Sequence, residues 1–213
     1  MPLGFTLEAR TKLTTTIREA LADHSNTKRS TWLRDYVAIL LGLEAGLRTS
    51  EVTHLKISDV WFNGDAKPWL HIPENFNKHC KEGMIPLSRN LTETLRVYIP
   101  LRLTWLKEGE IDGWLISNKP GKRKKDQPLG NPAMFYMVDF WAKKAGLPHF
   151  RFHDLRHTFA TFAMAADNSN LRIVQDLLRH RQIASTQVYT HPTHAQIAMV
   201  IDKAFNQTGE KPL

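Results

Sequence analysis

A single cysteine, Cys80, is all the thiol this chain contains, which excludes an internal disulfide framework and any multi-cysteine zinc module, so folding rests on core packing. No run of about eighteen apolar residues occurs, so the sequence offers no membrane span. The first ten residues, Met1 to Arg10, lack the basic-then-apolar order of a secretory signal. Together these absences predict a soluble, cytoplasmic protein in a reducing compartment. Acidic residues are also in short supply: 21 Asp and Glu stand against 29 Lys and Arg, giving a formal charge of +8. That balance, with a pI near 9.7, favours a polyanionic partner.

What is present is enough, at 213 residues, for one substantial core. Residues 1 to 28 read as a polar lead-in whose Leu13, Ile17, Ala20 and Leu21 recur at helical spacing and should pack on the domain edge. Trp32, Leu33, Tyr36, Val37, Leu40 and Leu41 mark a buried helix between Ser30 and Ala45, with Gly46 as its terminator. A short helix should follow from Thr49 or Ser50, either of which can cap it, with Arg48 in the tight connection.

From Ile57 to Leu87 the pattern turns β-like. Three strands are expected, Ile57 to Phe62, Trp69 to Ile72 and Met84 to Leu87, with Asn63-Gly64-Asp65 as the first turn and Asn75 to Gly83 as a lysine-bearing second one. Helix returns at Leu91, kinked near Pro100. The run Lys122, Arg123, Lys124 and Lys125 lies in a Pro- and Gly-bearing loop, either simply solvated or touching backbone phosphates. Asn131-Pro132 opens a further helix that Gly146 ends, and the pattern is helical through His153 to Ala166, Leu171 to Arg179, Ser185 to Thr190 and Ala195 to Phe205. The expected fold is mainly α with a small three-stranded antiparallel β-sheet.

The most informative segment is His153-Asp154-Leu155-Arg156-His157-Thr158-Phe159-Ala160-Thr161. On a helix, His153 and Arg156 are three apart and share a face, so an imidazole and a guanidinium can converge on one small anion. Leu177-Leu178-Arg179-His180, followed by Val188-Tyr189, adds a second His and a Tyr. Upstream, Gly46-Leu47-Arg48-Thr49-Ser50-Glu51-Val52, with Leu55 at its end, sets an Arg between two helices.

These stretches resemble the tyrosine recombinase family, which includes the phage integrases. Its catalytic domain carries G-L-R-x-S-E-x-x-x-L, a lysine in a β-hairpin, H-x-L-R-H-T-F-A-T, L-G-H and a terminal nucleophilic tyrosine, and each element appears here in order between Leu33 and Tyr189. The segment from Asn77 to Leu87 lines up with the family's T-K-x-x-K-x-R-x-x-P-L, which puts Lys78 at the position of the general acid, with Lys81 as the alternative.

The resemblance implies the integrase catalytic-domain fold over residues 29–192, after a lead-in and before a C-terminal helix and tail at 193–213. It also implies site-specific recombination of double-stranded DNA by four protomers on two sites, localisation to the nucleoid when bound, and no metal or other cofactor. The family's separate N-terminal core-binding domain is expected to be absent. Among the positions that depart from the pattern, Arg179 stands where the family has Gly, and Gly83 where it has the hairpin Arg.

The chemistry is intelligible residue by residue. Attack on a phosphodiester builds negative charge on its non-bridging oxygens, which guanidinium groups such as Arg48 and Arg156 stabilise through paired hydrogen bonds. Tyr189, with a reference pKa of about 10, needs a positive field or a base to become a nucleophile. His153 is the candidate base and His180 the candidate donor to the phosphate.

Other readings stay open. A type IB topoisomerase uses much the same residues, and a DNA-binding protein without chemistry would share the charge. His153-Asp154-x-x-His157 imitates a zinc-hydrolase helix poorly, since Asp is shorter than Glu and no third ligand is signalled. The apolar positions from Ala195 to Phe205 suit docking either on a neighbouring protomer or on the chain's own domain.

Overall fold

A computed structural model describes residues 6–23, 25, 27–73, 82–119, 126–166, 171–179 and 193–206. Among the described residues no helix is long and apolar enough to cross a membrane.

The first helix, α1 (Leu7–Ala22), starts at Thr6, whose hydroxyl accepts the Ala9 N–H at 3.2 Å. Its buried stripe is Arg10, Leu13, Thr14, Ile17 and Leu21, the three-and-four spacing of one helix face. That face lies on α2 (Arg29–Glu44), in which every residue from Leu33 to Glu44 is buried. An apolar stripe alone would leave one side in water. Here α2 is surrounded, by α1, by α5 (Arg89–Leu103) and by α7 (Phe152–Ala166).

Two glycines fix the relation of α2 to α7. A β-carbon on Gly42 would lie 3.0 Å from the Leu155 Cβ, so the helices approach closely there. Gly46 ends α2 with φ +62, the left-handed conformation that closes many helices, and a β-carbon on it would lie 2.4 Å from the Phe159 ring. Any side chain at residue 46 would be strained in its backbone and would push α7 away.

The chain then forms two short helices, α3 (Thr49–His54) and α4 (Ile57–Val60). Neither Thr49 nor Ser50 caps α3. Arg48 itself is the N-cap residue, its backbone N–H taken by the Glu51 carboxylate at 2.7 Å. The strand expected from Ile57 is replaced by α4, because Asp59 accepts the Lys56 N–H at 2.7 Å and nucleates a helical turn in a short apolar run.

Among the described residues the named strands therefore form two antiparallel pairs instead of one three-stranded sheet. β1 (Trp61–Phe62) pairs with β2 (Asp65–Ala66), and β3 (Trp69–Ile72) with β4 (Gly83–Pro86). The first turn is as expected, with positive φ at both Asn63 (48°) and Gly64 (82°). In the second pair Leu70 faces Ile85 across the ladder and both are buried.

Among the described residues the remaining helices are α6 (Asn131–Lys144), α8 (Leu171–Leu177) and α9 (His194–Ile201), followed by a π-helical turn at Asp202–Asn206; the helix expected at Ser185 to Thr190 lies outside the described residues. Ser88 caps α5 by accepting the Leu91 N–H at 3.1 Å. The N-cap of α6 is Gly130, one residue ahead of the expected Asn131. Within the chain the C-terminal segment packs on α5, α7, α8 and β4, and Phe205 stacks on Phe159 with ring centroids 5.5 Å apart.

Candidate active site

Three segments meet at one carboxylate. Glu51, on the first turn of α3, is fully buried, and its Oε1 accepts from Arg48 Nη1 at 2.9 Å. Its Oε2 accepts the Arg48 N–H at 2.7 Å and Arg179 Nη2 at 2.6 Å, while Arg156 Nη1 stands off at 3.8 Å. One carboxylate thus faces three guanidinium groups drawn from the α2–α3 connection, α7 and the end of α8. The surplus of positive charge in a buried setting is the electrostatic character of the site.

Arg156 is 4% exposed and is held by backbone. Nη1 donates to the Gly46 carbonyl at 2.5 Å and Nη2 to the Leu178 carbonyl at 2.6 Å. The end of α2, the middle of α7 and the end of α8 are tied through this one side chain, which also fixes the plane of its guanidinium. Arg48 differs: its side chain is 30% exposed while Glu51 restrains it. The two arginines are presented by different means, one clamped in the protein and one reaching toward solvent.

His153 precedes Arg156 by one helical turn, with its ring edge-on to His157 at a centroid separation of 4.6 Å. Partial burial lowers the His153 pKa below its ordinary value, and the charges of His157, Arg156 and Arg48 lower it further against the opposing pull of Asp154. Arg48, distant in sequence, is therefore close enough for its charge to act on this imidazole. Asp154 itself holds the local fold, accepting the Arg151 N–H at 2.7 Å at the start of α7. Among the described residues no group of three or more His, Cys, Asp or Glu could hold a metal ion.

The structure thus brings together Arg48, His153 and Arg156. Lys78 and its alternative Lys81, His180, Tyr189 and the basic run Lys122, Arg123, Lys124 and Lys125 lie outside the described residues. Gly83, the first residue of β4, lies beside Arg179. Along the chain Glu51 is one residue of the Gly46–Val52 stretch, and Arg179 is a departure from the family pattern. Glu51 at the third helical position after Arg48 is a visible capping signal, but the convergence of three arginines on it is a tertiary fact.

The fold has counterparts among known proteins. A solved structure of XerA recombinase superposes with a TM-score of 0.65 at 23% identity, covering 99% of this chain and 66% of that one. A structure of XerH site-specific recombinase bound to its difH substrate gives 0.64 at 23% identity, covering 85% and 48%. Among curated proteins, tyrosine recombinase XerC of Proteus mirabilis is 34% identical over 174 residues, which is 81% of this chain and 52% of the relative. Tyrosine recombinase XerA of Pyrococcus horikoshii is 34% identical over 172 residues, 81% of this chain and 55% of the relative. The sequence pattern of the phage integrase family matches residues 12–196. The chain belongs to the phage integrase family. It spans about half the length of these two curated relatives.

Proposed function

We propose that this chain is the catalytic unit of a tyrosine site-specific recombinase acting on duplex DNA. The observation that carries the reading is the convergence of Arg48 and Arg156 on the buried Glu51 with His153 alongside, in a chain of the phage integrase family. In this reading the Tyr189 hydroxyl attacks the scissile phosphorus as its proton passes to His153. A 3′-phosphotyrosine bond forms, the bond to the 5′ oxygen breaks, and Lys78 (or Lys81) gives that oxygen its proton.

Arg48, Arg156 and His180 stabilise the charge that gathers on the non-bridging oxygens. Rejoining is the reverse with a new 5′ hydroxyl, so the bond energy is conserved and no cofactor is called for. Recombination would join two duplexes through a homo-oligomer, four protomers for two sites, in the cytoplasm on nucleoid DNA.

The test uses a duplex nicked beside the cleavage point, from which the short 5′ fragment diffuses away. Wild type should accumulate a covalent protein–DNA adduct that resists chelators and maps by peptide mass spectrometry to Tyr189. An adduct on another residue, or none at any site from the neighbouring DNA, would overturn the reading. Joining of strands from two different duplexes separates recombination from nicking and closing of one.

The depressed pKa of His153 gives a pH signature. A base acts when neutral, and a lowered pKa keeps the imidazole neutral further into acid, so activity should fall only as pH drops through that lowered value. At sub-saturating DNA the cleavage rate reports the free protein, and its acid limb should lie below 6.5, the ordinary histidine value. At saturating DNA the phosphate charge offsets Arg48 and Arg156, and the limb should move to higher pH. Identical limbs in both regimes, or limbs unchanged in His153→Gln, would show that His153 is not the group titrating.

A further inference from the structure

Two of the positions at which this chain leaves the family pattern, Gly83 and Arg179, lie against each other. A β-carbon on Gly83 would lie 2.6 Å from Arg179 Cδ and 3.0 Å from its Cγ. Those are mid-chain atoms of a side chain fixed at its far end, so they cannot simply swing aside. Only glycine at residue 83 leaves the passage open through which the Arg179 side chain runs.

Arg179 is an unusual arginine in its own right. It sits just after α8 with φ +52, a left-handed backbone that residues with a β-carbon rarely adopt. Its side chain is only 2% exposed, with Nη2 on Glu51 Oε2 at 2.6 Å and Nη1 on the Leu177 carbonyl at 3.0 Å. A backbone rarely adopted, a buried cation and a glycine that leaves it room together present Arg179 to Glu51 and to the Leu177 carbonyl.

We propose that Arg179 and Gly83 are a reciprocal pair, and that Arg179 is a positioning residue that sets the charge balance at Glu51 and so the placement of Arg48 and Arg156. Glu51 Oε2 is engaged by Arg179 while Arg156 remains at 3.8 Å. Arg48 is already bonded to Oε1; without Arg179 the carboxylate has one cation fewer to satisfy it, so its pull on Arg48 and on Arg156 rises and competes with their reach for a phosphate. Arg179 also joins β4, through Gly83, to the end of α8 and the start of α3. The kinetic consequence rests on the recombinase reading; the pairing of residues 83 and 179 does not.

Two measurements on the full chain test it. In thermal melting, Gly83→Ala should lower the midpoint by several degrees in the wild-type background. In the Arg179→Gly background it should lower nothing, since the obstacle is gone and alanine suits a strand better than glycine. Equal effects in both backgrounds would overturn the pairing.

In cleavage of the nicked duplex at saturating DNA, Arg179→Met should slow adduct formation by about 30- to 100-fold, the scale of a misplaced catalytic group. Its Kd for uncleavable duplex should stay within about threefold. Arg179→Lys, which restores a cation to Glu51, should recover a large part of the rate. An unchanged rate in Arg179→Met, or a loss confined to Kd, would overturn the positioning role. If wild type itself forms no adduct, the recombinase reading fails while the melting comparison still decides the pair.

Discussion

Arg156→Ala should lower the first-order rate of covalent cleavage by roughly 10³-fold, as removal of one preorganised donor to a developing oxyanion does. The effect should appear at saturating DNA, because the interaction proposed for Arg156 strengthens as charge builds on the phosphate. The same side chain satisfies the Gly46 and Leu178 carbonyls, and each buried acceptor left unmet costs about 1–3 kcal/mol.

The rate must therefore be compared below the melting transition of the variant, with binding to uncleavable duplex measured alongside. Arg156→Lys sharpens the comparison: it keeps the charge but cannot bridge two carbonyls with one rigid fork. It should bind DNA well and cleave poorly. Cleavage by folded Arg156→Ala within a few-fold of wild type would remove Arg156 from the site.

Much of this arrangement could be read along the chain. The periodicity from Trp32 to Leu41 marks α2, and Gly46 marks its end, both as found. His153 and Arg156 do fall on one turn of one helix, and Asn63-Gly64 does form the tight turn. Local signals suffice where a helix or turn is decided by its own residues. They fail at Ile57 to Val60, a short apolar run that periodicity cannot assign, where the Asp59 carboxylate decides for helix.

Local signals also miss the partners of Glu51. Nothing in the spacing of Arg48, Arg156 and Arg179 says that they share one carboxylate, since that depends on α2 and α7 meeting at Gly42 and Gly46. Gly83 and Arg179 were visible as two separate oddities. Their contact at 2.6 Å makes them one feature.

The largest loss of stability should come from Glu44→Ala, outside the cluster. Glu44 is fully buried at the C-terminal end of α2, where a carboxylate opposes the helix dipole. What holds it there is a set of donors: Arg10 Nη2 at 3.1 Å, Asn90 Nδ2 at 3.0 Å and the Ser88 hydroxyl in a short hydrogen bond. Arg10 is itself fully buried, with its guanidinium 5.5 Å from the Phe162 ring and 5.3 Å from the Phe205 ring. One ion pair thus links α1, α2, α5, α7 and the C-terminal turn.

Removing the carboxylate leaves the Arg10 charge buried without this counter-charge, a loss of about 3–5 kcal/mol. For a chain of this size that lowers the melting midpoint by roughly 6–20 °C. Hydrogen exchange should rise most at residues 193–206, which dock through Phe205 beside Arg10. The double variant Arg10→Met/Glu44→Met should recover a good part of the loss, since an apolar pair carries no buried charge. At temperatures well below the transition Glu44→Ala should cleave at close to the wild-type rate, because Glu44 is bonded to Arg10, Ser88 and Asn90, whereas Arg48 and Arg179 are bonded to Glu51. A midpoint within about 2 °C of wild type, less than the loss of even one kcal/mol should produce, would show that the buried pair contributes little to holding the two ends of the chain on the core.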